Sequence, residues 1–209
     1  MLVSDIKLQA RDKNRASIYV DGKYSFSLSI EQLQQFKIKI GNVYQPNDIN
    51  HFKRESKIGK AYLNAVFYCL MRPRSEKEVR DYLFKKTLLR INKFGKRESV
   101  IDASEAETIF EKLIANGYID NSKFAEYWLE NRFTKKGISK RKLISELKSK
   151  GLDDSLISLQ IAKNFRDDKT EIKKIISRKR NIYTPEKMFA YLMRQGFNYD
   201  DVKAELGLD

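Results

Sequence analysis

The strongest constraint on this chain is that it repeats itself. Ser139–Ile157 aligns with Thr184–Val202 at a constant offset of 45, so that Leu143 matches Met188, Ile144 matches Phe189, Leu147 matches Leu192 and Gly151 matches Gly196. Ser75–Leu83 aligns without a gap with Ser139–Leu147. Self-similarity at such a period marks an array of small units, none of which buries its apolar face alone. Ser75, Ser139 and Thr184 stand where a hydroxyl caps the first turn of a helix. Glu78 is placed to complete a capping box, and Pro185 sits at a first helical position. Gly151 and Gly196 end these helices, and Asp153 and Asn198 cap the next ones. Each unit then needs a first helix, which the 3.6-residue apolar spacing puts at Lys60–Met71, Ser122–Lys135 and Asp168–Arg180.

The expected fold class is therefore mainly α, a tandem array of three three-helix repeats over residues 58–121, 122–166 and 167–209. Repeat one carries a basic insertion, residues 87–103, with Ser104 and Glu107 as a second capping box restarting a helix through Ile109, Phe110, Leu113 and Ile114. A β-rich extension and linker, residues 1–57, precede the array. There Ala16–Val20 and Tyr24–Leu28 alternate around Asp21-Gly22-Lys23, the signature of a tight hairpin. Ile6–Gln9 and Lys37–Val43 are expected as further strands, with a short helix over Ile30–Phe36.

Charge decides the partner class. The 209 residues hold 42 Lys and Arg against 28 Asp and Glu, a surplus of +14. A uniform surplus serves solubility, but this one is clustered. From Arg132 to Lys150 lie eight cations, Arg132, Lys135, Lys136, Lys140, Arg141, Lys142, Lys148 and Lys150, against Glu146 alone. A second run, Lys85, Lys86, Arg90, Lys93, Lys96 and Arg97, contains no anion. Clustering of this kind points to nucleic acid or another acidic surface. Three cations in the first turn of one helix oppose its dipole, and a phosphate held jointly by them and by free N–H groups accounts for that.

Other chemistries find little support. The single Cys69 cannot form an internal disulfide, and the single His51 makes a His-ligated metal site untenable. The carboxylate pairs Glu105/Glu107, Asp153/Asp154 and Asp200/Asp201 lie in or beside first turns, where anions cap and offset the dipole. No phosphate-binding Gly loop is present. The expectation is a protein without catalytic residues, metal or cofactor. Without an apolar leader or membrane-length apolar run, a cytoplasmic, monomeric protein with no membrane partner is expected. Trp128 shares a helical face with Phe124, Ala125, Leu129 and Arg132, which favours a core anchor over a base-stacking platform. Arg132 at the edge of that face is expected to stack on Trp128 or pair with Glu146, and Tyr127 falls outside the stripe.

These residues bring a family into view. Gly117-Tyr118-Ile119-Asp120, Phe124, Arg132, Lys136-Gly137, Leu143, Glu146-Leu147 and Lys150-Gly151 resemble, with gap-free spacing, the RecX family of bacterial regulators of the RecA recombinase. Ser75-Glu76-Lys77-Glu78-Val79-Arg80 with Leu83 resembles the family's first-repeat signature. The resemblance runs from about Lys60 to the C-terminus, and the strand-rich N-terminus is similar to an extension seen in some members. Where many relatives carry Gly-x-Gly-Pro, this chain has Gly137-Ile138-Ser139-Lys140, a cap and a further cation in place of a stiff turn. The resemblance implies a non-enzymatic protein that lies in the groove of a RecA–ssDNA filament. It would restrain filament growth, ATP hydrolysis and strand exchange in recombination, DNA repair and the SOS response. The binding residues are then expected in the Arg132–Lys150 cluster, with Arg178, Lys179, Arg180 and Arg194 beside it. The alternative is a helix-turn-helix-like protein acting on duplex DNA without a recombinase.

Overall fold

The computed structural model describes residues 1–10, 12–91, 95–135, 137–163 and 167–208, with the side chains of 132–135 outside the description. The molecule is mostly helical with a small N-terminal antiparallel sheet. It divides into two compact units, one of Met1–Met71 with Arg80–Tyr118 and one of Arg72–Val79 with Ile119–Asp209.

In the first unit, β1 (Val3–Leu8), β2 (Arg15–Val20) and β3 (Lys23–Ser29) form a meander in that order. Asp21 and Gly22 take φ of 49° and 77°, the conformation that a two-residue hairpin loop requires. Period-two alternation sends Ile18, Val20, Phe26 and Leu28 inward, where they meet Val3, Ile38, Ile49 and Phe52. The short helix α1 (Ile30–Gln35) opens on a capping box formed by Ser29 and Gln32. The strand expected over Lys37–Val43 is absent apart from a single bridge between Val43 and Leu2. Lys37 at φ 52° and Gly41 at φ 88° turn the chain twice within it, so no extended ladder forms.

Helix α2 runs from Pro46 to Leu70 without a break, so the helix expected from Lys60 begins fourteen residues earlier, residue 46 against residue 60. Ile49 and Phe52 explain the difference, since burial against the sheet holds the added turns helical. The helix α3 (Glu76–Thr87) starts after Ser75, whose Oγ accepts from the Glu78 N–H at 3.2 Å. The basic insertion contains a two-stranded ribbon, β4 (Arg90–Ile91) with β5 (Arg97–Glu98). Helix α4 (Ala103–Ala115) is capped by Asp102 and Glu105 rather than by Ser104 and Glu107. The cap lies next to Ile101, a fully buried anchor, while Glu107 is turned to Arg80 at 2.6 Å.

In the second unit, α5 (Asn121–Lys135), α6 (Lys140–Ser149) and α7 (Asp154–Lys163) surround Phe124, Leu129, Leu143, Leu147, Leu152 and Ile157. Helices α8 (Asp168–Lys179), α9 (Pro185–Arg194) and α10 (Tyr199–Leu206) surround Ile172, Ile175, Met188, Leu192, Phe197 and Val202. Under the 45-residue offset the last four core positions of each set correspond one to one, so the sequence repeat is a repeat of packing. The caps repeat too: Ser139 Oγ accepts from Lys142 N at 3.1 Å, and Thr184 Oγ1 from Lys187 N at 3.5 Å. Asp153 and Asn198 cap α7 and α10 at 2.8 Å each.

Gly151 and Gly196 terminate α6 and α9 at φ of 84° and 86°. A Cβ on Gly151 would stand 2.8 Å from Lys77 Cβ, and one on Gly196 would stand 2.9 Å from Ser139 Oγ. Each glycine therefore combines a left-handed backbone with a close approach to the first turn of another helix or its cap. Gly207 (φ 63°) has nothing within 4 Å of a built Cβ. Gly207→Ala is expected to lose only backbone strain, about 1–2 kcal/mol, and Gly196→Ala distinctly more. Urea unfolding of the two variants tests this, and equal losses would refute the close-packing account.

Candidate functional site

The two glycine contacts mark a joint between a helix end and a helix start that occurs twice in the second unit. In the first, the end of α6 sits on the start of α3: Lys77 Nζ donates to the Ser149 carbonyl at 2.8 Å, and Lys150 Nζ meets Glu78 Oε1 at 2.8 Å. In the second, the end of α9 sits on the start of α6. Ser139 Oγ donates to the Gln195 carbonyl at 2.7 Å, and Lys142 Nζ donates to Gln195 Oε1 at 2.7 Å. Glu78 and Lys142 are matching positions of the repeat, as are Lys150 and Gln195. The same contact is thus made with donor and acceptor exchanged. Ser75 and Ser139 are wholly buried, whereas Thr184 is exposed.

The first joint is also the main electrostatic feature of the second unit. Arg72 grips Glu78 with both terminal nitrogens, at 3.0 and 3.1 Å, and its guanidinium lies over the Tyr127 ring at 6.0 Å. Lys150 caps the Trp128 ring at 4.9 Å, and Trp128 Nε1 donates to Glu146 Oε2 at 3.1 Å. Burial alone would raise the Glu78 carboxyl, but hydrogen bonds from Arg72 and Lys150 outweigh it and hold its pKa below the ordinary carboxylate value. Two expectations change here. Glu78 gives its N–H to Ser75, but its carboxylate is taken by Arg72 and Lys150, with Arg74 at 4.0 Å. Tyr127 is half-buried beneath Arg72 rather than free. Trp128 packs its ring on the core as expected, with Lys150 over it, and the contact expected of Arg132 falls outside the described residues.

The residues expected to bind separate into distinct groups. Lys142, Lys148 and Lys150 hold protein partners, the second through Asp154 at 2.7 Å. Lys179 lies over the Tyr183 and Tyr191 rings, each at 4.9 Å. Arg178 is exposed near the end of α8. Lys136 and the side chains of Arg132 and Lys135 lie outside the described residues. Lys140, Arg141, Arg180 and Arg194 are exposed, and no ion pair engages their side chains among the described residues. The joint sets Gln195 and Gly196, which follow Arg194, against Ser139 and Lys142, which flank Lys140 and Arg141.

Two first-turn amides of α6 are engaged within the protein, where the phosphate reading required free ones. Lys140 N donates to Asp168 Oδ1 at 2.9 Å, and Lys142 N donates to Ser139 Oγ. Burial pushes the Asp168 carboxyl up, partly offset by the Lys140 N–H. The protein's own carboxylate therefore occupies the position assigned to a phosphate, and what remains for an external anion is side-chain charge. The sequence signal for the joint was present in the aligned pairs 78/142 and 150/195, but nothing in a linear reading says that these pairs touch. Among the described residues no group of three or more His, Cys, Asp or Glu is placed to hold a metal ion. No described helix is long and apolar enough to cross a membrane.

Comparison with known proteins converges on one family. Residues 1–44 match the regulatory protein RecX N-terminal domain, and residues 120–158 match the second three-helix domain of RecX. The chain is similar to the regulatory protein RecX of Bacillus licheniformis, with 27% identity over 98% of this chain and 76% of that protein. It is 29% identical to that of Bacillus velezensis over the same shares. To that of Listeria monocytogenes serotype 4b it is 29% identical over 80% of this chain and 57% of the relative. A crystal structure of regulatory protein RecX superposes with a TM-score of 0.66 at 21% identity, covering 99% of this chain and 98% of that one. The structure of RecX from Lactobacillus salivarius gives a TM-score of 0.51 at 21% identity over 72% of this chain and 95% of that one. At such identities the structural likeness concerns the fold.

The Glu78 joint makes a pH prediction. The folded pKa lies below the unfolded value of about 4.3, so the joint's contribution is complete above that pH and is lost as pH falls through the folded pKa. Glu78→Gln is expected to cost about 1.5–3 kcal/mol at neutral pH, and to flatten the acid limb of stability below about pH 4.3. Urea titrations across pH would overturn this if the acid limbs of parent and variant superposed.

Proposed function

Because the chain belongs to the RecX family of regulatory proteins, we propose that it binds the RecA–ssDNA filament and inhibits its growth, ATP hydrolysis and strand exchange. The observation that carries this reading beyond family membership is the group Lys140, Arg141 and Arg194. They flank, in sequence, the residues that meet at the second joint, and they are exposed and without an ion pair among the described residues, while neighbouring lysines are engaged inside the protein. Such a surface suits an acidic protein face or phosphates, and it offers no chemistry of its own. The protein acts as a cytoplasmic monomer without catalytic residues or cofactor, and its working units are three three-helix repeats over 58–121, 122–166 and 167–209. Arg180, exposed just past the end of α8, is a further candidate contact.

The test is the ssDNA-dependent ATPase of the cognate recombinase titrated with this protein. Inhibition at well below one molecule per recombinase monomer, not relieved by added ssDNA, is expected. The variant Lys140→Glu/Arg141→Glu/Arg194→Glu should show no inhibition at concentrations where the parent suppresses turnover, with an unchanged far-UV helix signal. Full inhibition by that variant would reduce the cluster to a solvated face, and relief by extra ssDNA would mean competition for DNA alone.

A further inference from the structure

The ribbon β4–β5 in the first unit is unexplained by packing. Its four paired residues, Arg90, Ile91, Arg97 and Glu98, are all exposed, so the ribbon contributes nothing to a core, and isolated two-stranded hairpins are at best marginally stable. The protein nevertheless gives it three attachments. Val100 N donates to the Lys86 carbonyl at 3.1 Å, next to the buried Ile101, and Glu98 reaches Lys57 of α2 at 3.6 Å. Arg90 leans on the end of α3 through a long 3.4 Å contact with the Lys85 carbonyl. Connections of this length in compact proteins are usually functional.

Charge and register define what it fits. From Lys85 to Arg97 the sequence holds no anion. Arg90 stands opposite Glu98 and Ile91 opposite Arg97, and successive pairs of a ladder project from opposite faces. Arg90 and Arg97 therefore leave the ribbon on different sides. Glu98, on the Arg90 side, is turned to Lys57. Lys85, exposed in the last turn of α3, adds a cation at the base. Charges that only blunt a strand edge against aggregation need no such two-sided arrangement. A single strand presents one line of phosphates, whereas a groove of duplex DNA presents two walls, and its major groove, about 12 Å wide, admits a two-stranded ribbon. The deep, narrow major groove of an RNA helix does not.

We propose that the β4–β5 ribbon is a duplex-DNA contact that enters the major groove, Arg90 and Arg97 meeting the phosphates of opposite walls. Ile91 and Leu89, both exposed, supply apolar contact without base reading, so binding is sequence-independent. The inference does not rest on the recombinase reading.

It is tested with the full-length protein by fluorescence anisotropy on a labelled duplex of about 24 base pairs, roughly two helical turns, and on one of its strands alone. Binding is measured from about 50 to 200 mM KCl. For Arg90→Ala/Arg97→Ala the duplex slope of log K against log salt should shrink by about 1.8, two contacts at about 0.9 each, while the single-strand slope stays put. Arg90→Lys/Arg97→Lys should keep the parental duplex slope. An unchanged duplex slope in the alanine variant overturns the proposal, and so does an equal loss on the single strand. Loss of slope in the lysine variant would likewise overturn an account based on charge. The effect of the alanine variant on recombinase ATPase reports separately on the filament reading.

Discussion

One hydroxyl, Ser139 Oγ, holds two helix ends at once. It accepts from the Lys142 N–H to start α6 and donates to the Gln195 carbonyl that ends α9. A buried helix terminus leaves N–H or C=O groups without partners, which costs more than a lost contact. One side chain here serves both a first turn and a last turn. That economy works only if the backbones come close, hence the glycine at 196, where even a methyl group would crowd the hydroxyl. The joint between α3 and α6 reaches the same end with other groups, Lys77 Nζ on the Ser149 carbonyl, Gly151 against Lys77, and the pair Glu78–Lys150. Capping, glycine placement and core packing in the second unit are thus one constraint seen at three levels.

The joint also governs which cations face outward. Lys150 and Lys142 are held by Glu78 and Gln195, and Lys148 by Asp154. A run of positive charge in sequence therefore does not translate into a run of positive surface. What the fold leaves exposed is a smaller set drawn from separate segments, among them Lys140, Arg141 and Arg194. Asp168 makes the same point for the backbone, since its carboxylate fills the place that the amides of α6 would otherwise offer to a phosphate.

Much of this was legible in the chain before any coordinates. The alternation around Asp21-Gly22 gave the hairpin, and the spacing of Leu143, Leu147, Leu152 and Ile157 against Met188, Leu192, Phe197 and Val202 gave two matching cores. Where the reading failed, a longer-range contact had overridden a local rule. Glu78 reads as a capping-box acid, yet Arg72 and Lys150 take it. Ser104 and Glu107 read as a cap, but burial of Ile101 shifts the start of α4 to Asp102. The insertion read as an unassigned basic stretch, since two paired residues per strand are too few for any periodic signal.

By itself the sequence determined the helical repeat, its caps and its glycine stops, because these depend on backbone conformation and on neighbours within four residues. It also determined that the protein is strongly basic. Only the tertiary structure decided which charges are engaged and which are exposed, because that depends on partners such as Glu78 and Lys150, 72 residues apart, whose attraction no local pattern encodes.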